Sequence, residues 1–293
     1  MPGDLPELDR LDLQHKIVTK VFKGHCPCSD QELDRLLRKK GERQTSILDL
    51  GRGSGIWAIE MAERYPESRV VGLDLVDSEP LELPSNCTFV TGDMMTGLTA
   101  FQNQFDLVHI RLVLMHMKSD ETKKEALEYA VGCLRPGGMI VIVDYDETFT
   151  DDSRKSLLPA QDGPGSNNLN RSWATRFIRE MFRGNRMEEA IDEKVIEKRL
   201  AVNPRIDNVS IRERIGYVPL GWDGGDREYG AELGKMGFMN SWQGNRAMRP
   251  ALLARGIASE TVDAWIVKAD QEINGTRRLF IPIRGTWGRR VLG

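Results

Sequence analysis

The sequence predicts an α/β fold built on a doubly wound, mostly parallel sheet with helices on both faces. Three observations predict it. Short, largely apolar runs recur at Ile47–Leu50, Val70–Leu73, Thr88–Thr91, Phe105–Ile110 and Met139–Val143, as strands buried on both faces require. Helical segments alternate with these runs, which is the pattern of a parallel sheet. A glycine-spaced loop, Gly51-Arg52-Gly53-Ser54-Gly55, joins the first run to the helix after it.

Residues 1–45 read as a helical N-terminal segment. Leu11, Leu13, Ile17, Val18 and Val21 recur loosely at helix spacing. A second helix carries Leu33, Leu36 and Leu37 as its stripe, with Arg38, Lys39 and Lys40 at the C-terminal end, where cations suit the dipole; Gly41 breaks it. Residues 46–150 hold the five strands, a helix over 56–65 and another over 120–134. The latter places Leu127, Ala130, Val131 and Leu134 on one face. Arg135-Pro136-Gly137-Gly138 then stops the helix and permits a reversal. Beyond residue 152 the texture loosens. A Pro/Gly/Ser/Asn-rich loop over 158–170 precedes helices over 171–187 and 189–200, a strand over 209–220, a helical stretch over 230–273 and a strand over 278–287. Residues 151–293 therefore read as the remaining strands plus a helical insertion over the site, not as an independent domain.

Composition removes several function classes. Among 293 residues, 41 Lys and Arg against 44 Asp and Glu give a net charge of −3, so nothing electrostatic favours nucleic acid as a partner. A mean hydropathy of −0.41, with no apolar run near ~18 residues, argues against a membrane span. The acidic, polar N-terminus is unlike a secretory signal or transit peptide, which points to the cytoplasm. Cys26 and Cys28 form a C-x-C pair with no second ligand pair, and Cys87 and Cys133 are isolated. No metal site is expected, and the four thiols fit a reducing compartment. Homo-oligomerisation is left open.

The glycine loop points to a nucleotide-like ligand, because backbone that passes close to a ligand or adopts positive φ favours glycine. Its third glycine arrives one residue earlier than in the dinucleotide fingerprint, and position 56 is Ile, which suits a ligand without a pyrophosphate. Asp74 closes the second strand, followed by Leu75; a carboxylate there can accept from ribose hydroxyls. Asp93 closes the third, where it can accept from an adenine amino group while Met94 packs on the ring.

Residues 46–145 resemble the class I S-adenosylmethionine-dependent methyltransferases. The matching pieces are ILDLGRGSG, VVGLD, TGDM, FDLVHIR and CLRPGGMIVIVD, in family order and spacing. The resemblance implies S-adenosylmethionine as cofactor and a seven-stranded Rossmann-like sheet whose last strand, RLFIPIRGTW, runs antiparallel. It carries Gly51, Gly53 and Gly55 to the methionine side, Asp74 to the ribose, and Asp93 with Met94 to the adenine. RLDLQHKIV, GIWAIEMAE and the terminal TWGRR are also similar to the fungal LaeA-like methyltransferases, many of which act on or regulate secondary metabolites. That likeness implies that Arg10 to His15 lies over the cofactor, with Gln14 and His15 lining the site. Arg52 departs from the family pattern, where the residue is small or compact. Its guanidinium can pair with the cofactor carboxylate, point to solvent, or crowd the site.

Methyl transfer from a sulfonium needs chiefly in-line positioning, plus a base for an acceptor that must lose a proton. His116, in LMHMKSDE after the fourth strand, is the candidate base, and that segment is similar to the helix start bearing the general-base histidine of small-molecule O-methyltransferases. Arg111 can contact the methionine end of the cofactor or line the pocket; His109, inside the strand, reads as packed. On the acceptor side the candidates are Tyr145, at the end of the fifth strand, and Trp173 and Phe177 on one helical face, with Trp222 and Trp242 as weaker ones. The expected activity is methyl transfer to a small-molecule acceptor, an oxygen of a secondary metabolite. The alternatives are a non-methylating rearrangement or cyclisation on the same fold, and a LaeA-like regulatory role.

Overall fold

Strand β1 (Ser46–Leu50) is buried at all five positions, so it must be covered on both faces. It pairs in parallel with β2 (Arg69–Asp74) on one side and β4 (Phe105–Arg111) on the other. β3 (Cys87–Thr91) extends the sheet beyond β2, and β5 (Leu134–Tyr145) extends it beyond β4, both in parallel. With β8 (Ile206–Pro219) and β9 (Phe280–Arg290) the sheet has seven strands in the order β3-β2-β1-β4-β5-β9-β8. This is the Rossmann-like methyltransferase order, and the chain reverses direction of travel between β1 and β4, where an open α/β sheet places its ligand. The computed structural model describes residues 5–38, 41–77, 82–117, 119–163, 168–182 and 194–292.

The chain divides into two bodies. The larger comprises Pro2–Asp144, Glu193–Ile215 and Arg284–Gly293; the smaller comprises Tyr145–Asp192 and Gly216–Ile283. The expected division at residue 150 follows chain order, whereas the chain leaves the larger body near β5 and re-enters it twice.

In the larger body, α1 (Leu5–Phe22) buries Ile17, Val18 and Phe22, and α2 (Asp30–Leu37) buries Leu33, Leu36 and Leu37. The Ser29 hydroxyl caps α2 by accepting from the Glu32 amide at 3.2 Å, which satisfies one otherwise unpaired helix N–H. α3 (Ile56–Arg64) follows the glycine loop, and α4 (Asp120–Cys133) is capped by Ser119. Leu48, Leu50, Val108, Ile110, Leu127, Val131 and Ile142 form the core between the sheet and α4, joined by Leu200 from α6 (Val195–Ala201).

Leu134, the residue after α4, is already the first of β5. Arg135-Pro136-Gly137-Gly138 ends the helix as expected but forms a bulge at the start of that strand, with Gly137 at φ +77° and the register to β4 shifting between Phe105 and Leu107, rather than a free reversal. Gly138 shows why: a Cβ there would stand 3.1 Å from the carbonyl oxygens of Phe105 and Asp106, so the chain lies directly against β4.

The smaller body contains a short parallel pair, β6 (Leu158–Pro159) with β7 (Arg171–Ser172), inside and just after the expected 158–170 loop. α5 (Trp173–Phe182) covers the first part of the helix expected over 171–187. The stretch expected to be helical over 230–273 is two helices, α7 (Gly230–Ala254) and α8 (Ser259–Ile273), separated near Gly256 at φ +83°. Lys39, Lys40, residues 164–167 of the expected loop and residues 183–193 of the two expected helices lie outside the described residues. No helix among the described residues is long and apolar enough to cross a membrane.

Candidate cofactor site

The site gathers at the ends of β1 to β4 in the larger body. All three loop glycines have positive φ, +76° at Gly51, +57° at Gly53 and +82° at Gly55. Packing adds a second requirement at two of them. A Cβ on Gly51 would lie 2.2 Å from a Val113 methyl, and one on Gly55 would lie 2.3 Å from the Phe89 ring. The loop is also tied to β2. The Gly51 and Arg52 amides donate to the Leu73 carbonyl at 2.8 and 3.1 Å, and the Gly53 amide donates to Asp74 Oδ2 at 2.9 Å.

Asp74 accepts from the Val76 amide with its other oxygen, at 3.0 Å. A carboxylate offers about four acceptor positions, so a half-exposed Asp74 keeps capacity for two hydroxyls. Leu75 beside it is 69% exposed, a large apolar side chain at the open end of β2. Asp93 is half-buried and accepts from the Met95 amide at 2.8 Å, which fixes the turn after β3. Met94 is buried and lines a cleft of about 660 Å³ with Leu98, Gln102, Tyr129 and Arg205. These residues fit a nucleoside: acidic acceptors at successive strand ends, flanked by apolar side chains.

Burial removes the solvent alternative for Arg52. It is 4% exposed, its guanidinium lies 4.3 Å from the Phe89 ring centroid, and it donates to the carbonyls of Gly53 (3.1 Å) and Val76 (3.2 Å). The room comes from Gly72, whose Cβ would lie 3.0 Å from Arg52 Cδ. The side chain thus lies along the sheet and ties the loop to the end of β2, instead of extending into solvent.

The strand register explains the neighbouring polar core. Asp49 stands opposite His109 and opposite Gly72, and Gly72 stands opposite Phe89, so the four occupy one row across the sheet. His109 Nδ1 lies 2.8 Å from Asp49 Oδ1, and its ring stacks on Trp57 at 3.7 Å. Burial pushes the His109 pKa down despite Asp49, so the imidazole is neutral and the pair is a hydrogen bond inside the core.

α1 lies against this end of the sheet. Leu11 would sit 3.2 Å from a Cβ on Gly53, and Arg10 forms a buried pair with Glu7 at 2.6 Å. His15, 2% exposed, joins Arg111 at 3.1 Å through Nδ1 and Glu60 Oε2 at 2.8 Å through Nε2. Burial, then Arg111, lowers its pKa to about 4. Leu112, directly after Arg111, adopts φ +57°, a conformation costing a branched residue about 1–3 kcal/mol and concentrated at functional turns. His116 follows in the same segment and is exposed; desolvation, then Arg10, lowers its pKa, and solvent screening tempers both, so the ring is neutral at pH 7.

Glu60 and Trp57 belong to this neighbourhood, beside His25, and were not named individually from the sequence. Their signal was the spacing of Trp57, Glu60 and Arg64 along one face of α3. The acceptor-side candidates lie in the smaller body. Tyr145 and Trp173 are buried, with the Lys268 ammonium 3.8 Å from the Trp173 ring centroid, and Phe177 is 1% exposed, a core side chain of that body. Trp222 lines a cleft of about 340 Å³ with Lys235, Phe238 and Asn274, and Trp242 packs under Arg246. No His, Cys, Asp and Glu cluster among the described residues can hold a metal ion.

Residues 47–138, which contain the whole loop and strand-end arrangement, match the methyltransferase domain family. This segment is similar to class I methyltransferase domains. S-adenosylmethionine is the methyl donor of that class, and the chain resembles LaeA. It is 28% identical over 269 residues to the secondary metabolism regulator laeA of Coprinopsis cinerea, covering 90% of this chain and 62% of that protein. It is 31% identical over 140 residues to methyltransferase str3 of Strobilurus tenacellus, covering 48% of this chain and 46% of that one. The chain thus spans less than two thirds of the length of either relative. A putative sarcosine dimethylglycine methyltransferase from Galdieria sulphuraria superposes with a TM-score of 0.48 at 13% identity, over 89% of this chain and 83% of that one.

Proposed function

We propose that the chain transfers the methyl group of S-adenosylmethionine to a small-molecule acceptor, an oxygen of a secondary metabolite. The observation that carries the reading is the joint placement of the 51–55 loop, Asp74, Asp93 and Arg111 at the open ends of adjacent strands. The glycine loop, whose backbone lets the ligand approach closely, and Arg111 would flank the methionine end, Asp74 would hold the ribose, and Asp93 with Leu75 and Met94 the adenine. Bound there, the sulfonium supplies an activated methyl group. The protein's part is to orient the acceptor and, through neutral His116, to accept a proton from a hydroxyl.

Asp74→Ala is expected to weaken binding of S-adenosylhomocysteine about 10- to 100-fold in calorimetric titration, the worth of hydrogen bonds to a charged group. Retention of wild-type affinity would remove Asp74 from the ribose site. With labelled donor and a metabolite extract, label is expected in small molecules. His116→Ala should then lower kcat by about 10²- to 10⁴-fold with little change in KM for the donor; full turnover would exclude the base role.

A second reading is favoured by the identity to laeA across 90% of this chain: a regulatory protein whose methyl acceptor is a protein. Label appearing in the protein fraction and absent from small molecules would select it.

A further inference from the structure

We infer that Glu60 is a positioning residue for the cofactor site, acting on Arg111 through the His15 ring. The role rests on the methyl-donor reading above. Arginine nitrogens only donate, so the contact from Arg111 Nη1 makes His15 Nδ1 the acceptor. The ring proton must then sit on Nε2, and it points at Glu60 Oε2, 2.8 Å away. The same oxygen receives His25 Nε2 at 3.0 Å, and His25 Nδ1 faces Arg64, which pairs with Asp30 at 2.9 Å. One carboxylate on α3 therefore fixes two rings from the N-terminal segment.

The consequence reaches the site by geometry. With Glu60 as acceptor, the Nε2–H form of His15 presents a lone pair to Arg111. Without it, Arg111 alone favours that form, and whenever the Nδ1–H form is populated it turns a donor toward a guanidinium that can only donate, which displaces Arg111. Arg111 is the last residue of β4, next to the positive-φ Leu112, and His15 sits one helical turn beyond Leu11, which covers Gly53. Glu60 thereby holds both the cation at the end of β4 and the helix over the loop. Glu60 is about a third exposed, so its replacement removes a hydrogen-bond acceptor without opening a core cavity.

The test pairs calorimetric titration of S-adenosylhomocysteine with the ring ¹⁵N shifts of His15 in labelled full-length protein. In the wild type His15 is expected in the Nε2–H form. Glu60→Ala should populate both tautomers and weaken binding about tenfold, about 1.4 kcal/mol, with its thermal midpoint confirming a folded chain. Glu60→Gln, whose amide oxygen can accept from Nε2–H, should retain affinity within about threefold. His15→Phe keeps the ring volume, lacks both nitrogens and should reproduce the tenfold loss, so it carries the test if Glu60→Ala does not fold. Binding by Glu60→Ala within twofold of wild type, or an unchanged tautomer, overturns the role. A wild-type chain that does not bind S-adenosylhomocysteine overturns the cofactor reading and the role with it.

Discussion

Gly55→Ala is expected to destabilise the larger body by about 2–4 kcal/mol, read as a lower urea midpoint. Two costs add. The residue sits at φ +82°, a left-handed conformation that costs an L side chain roughly 1–2 kcal/mol. The new methyl would also stand 2.3 Å from the Phe89 ring, and overpacking of that kind costs about 1–3 kcal/mol. Reduced entropy of the unfolded chain returns only about 0.4–1 kcal/mol. Phe89 cannot simply turn aside, because the Arg52 guanidinium lies on its face. Gly41→Ala is the matched control: φ is +69°, but nothing lies within 4 Å of the added methyl. It should lose about 1 kcal/mol. Equal losses at the two positions would mean that Phe89 packing plays no part in the requirement for glycine at 55.

Acidification is expected to weaken the same body by about 3 kcal/mol between pH 6.5 and pH 4. His15 has a pKa of about 4 in the fold against an ordinary 6.5. The unfolded chain therefore binds the proton more readily across that interval, and each unit of difference is worth about 1.4 kcal/mol. The contribution is fully present above pH 6.5 and is lost as the pH falls toward 4. His109, lowered by burial beside Asp49, acts in the same direction. Urea midpoints at pH 7.5, 6, 5 and 4.5 measure the slope. His15→Gln, which keeps a polar side chain and does not titrate, should flatten it; identical slopes in the two proteins would clear His15 of the effect.

Much of the cofactor half was legible because its signals are local. The apolar runs over 47–50, 70–73 and 105–110 became β1, β2 and β4 within a residue or two at each end. Burial on both faces leaves no polar alternation to confuse the pattern. Arg135 to Gly138 stop the helix, as proline and two glycines signal, but contact with β4 turns the expected reversal into a bulge at the start of β5, with Gly137 at φ +77°. The single helical stretch over 230–273 hid a break, since Gly256 sits among good helix formers.

Sequence alone determined the class of sheet, the glycine loop and the acidic residues at the strand ends, because each depends on neighbours a few positions apart. The tertiary structure decided the rest of the site. Whether Arg52 lies in solvent or along the sheet depends on Gly72, 20 residues away on another strand. The pairing of Asp49 with His109 depends on the register between β1 and β4. The meeting of His15 with Glu60 and Arg111 depends on how α1 docks against α3 and the end of β4. Spacing along the chain does not specify such contacts; they form only when burial of the apolar faces fixes the elements against one another.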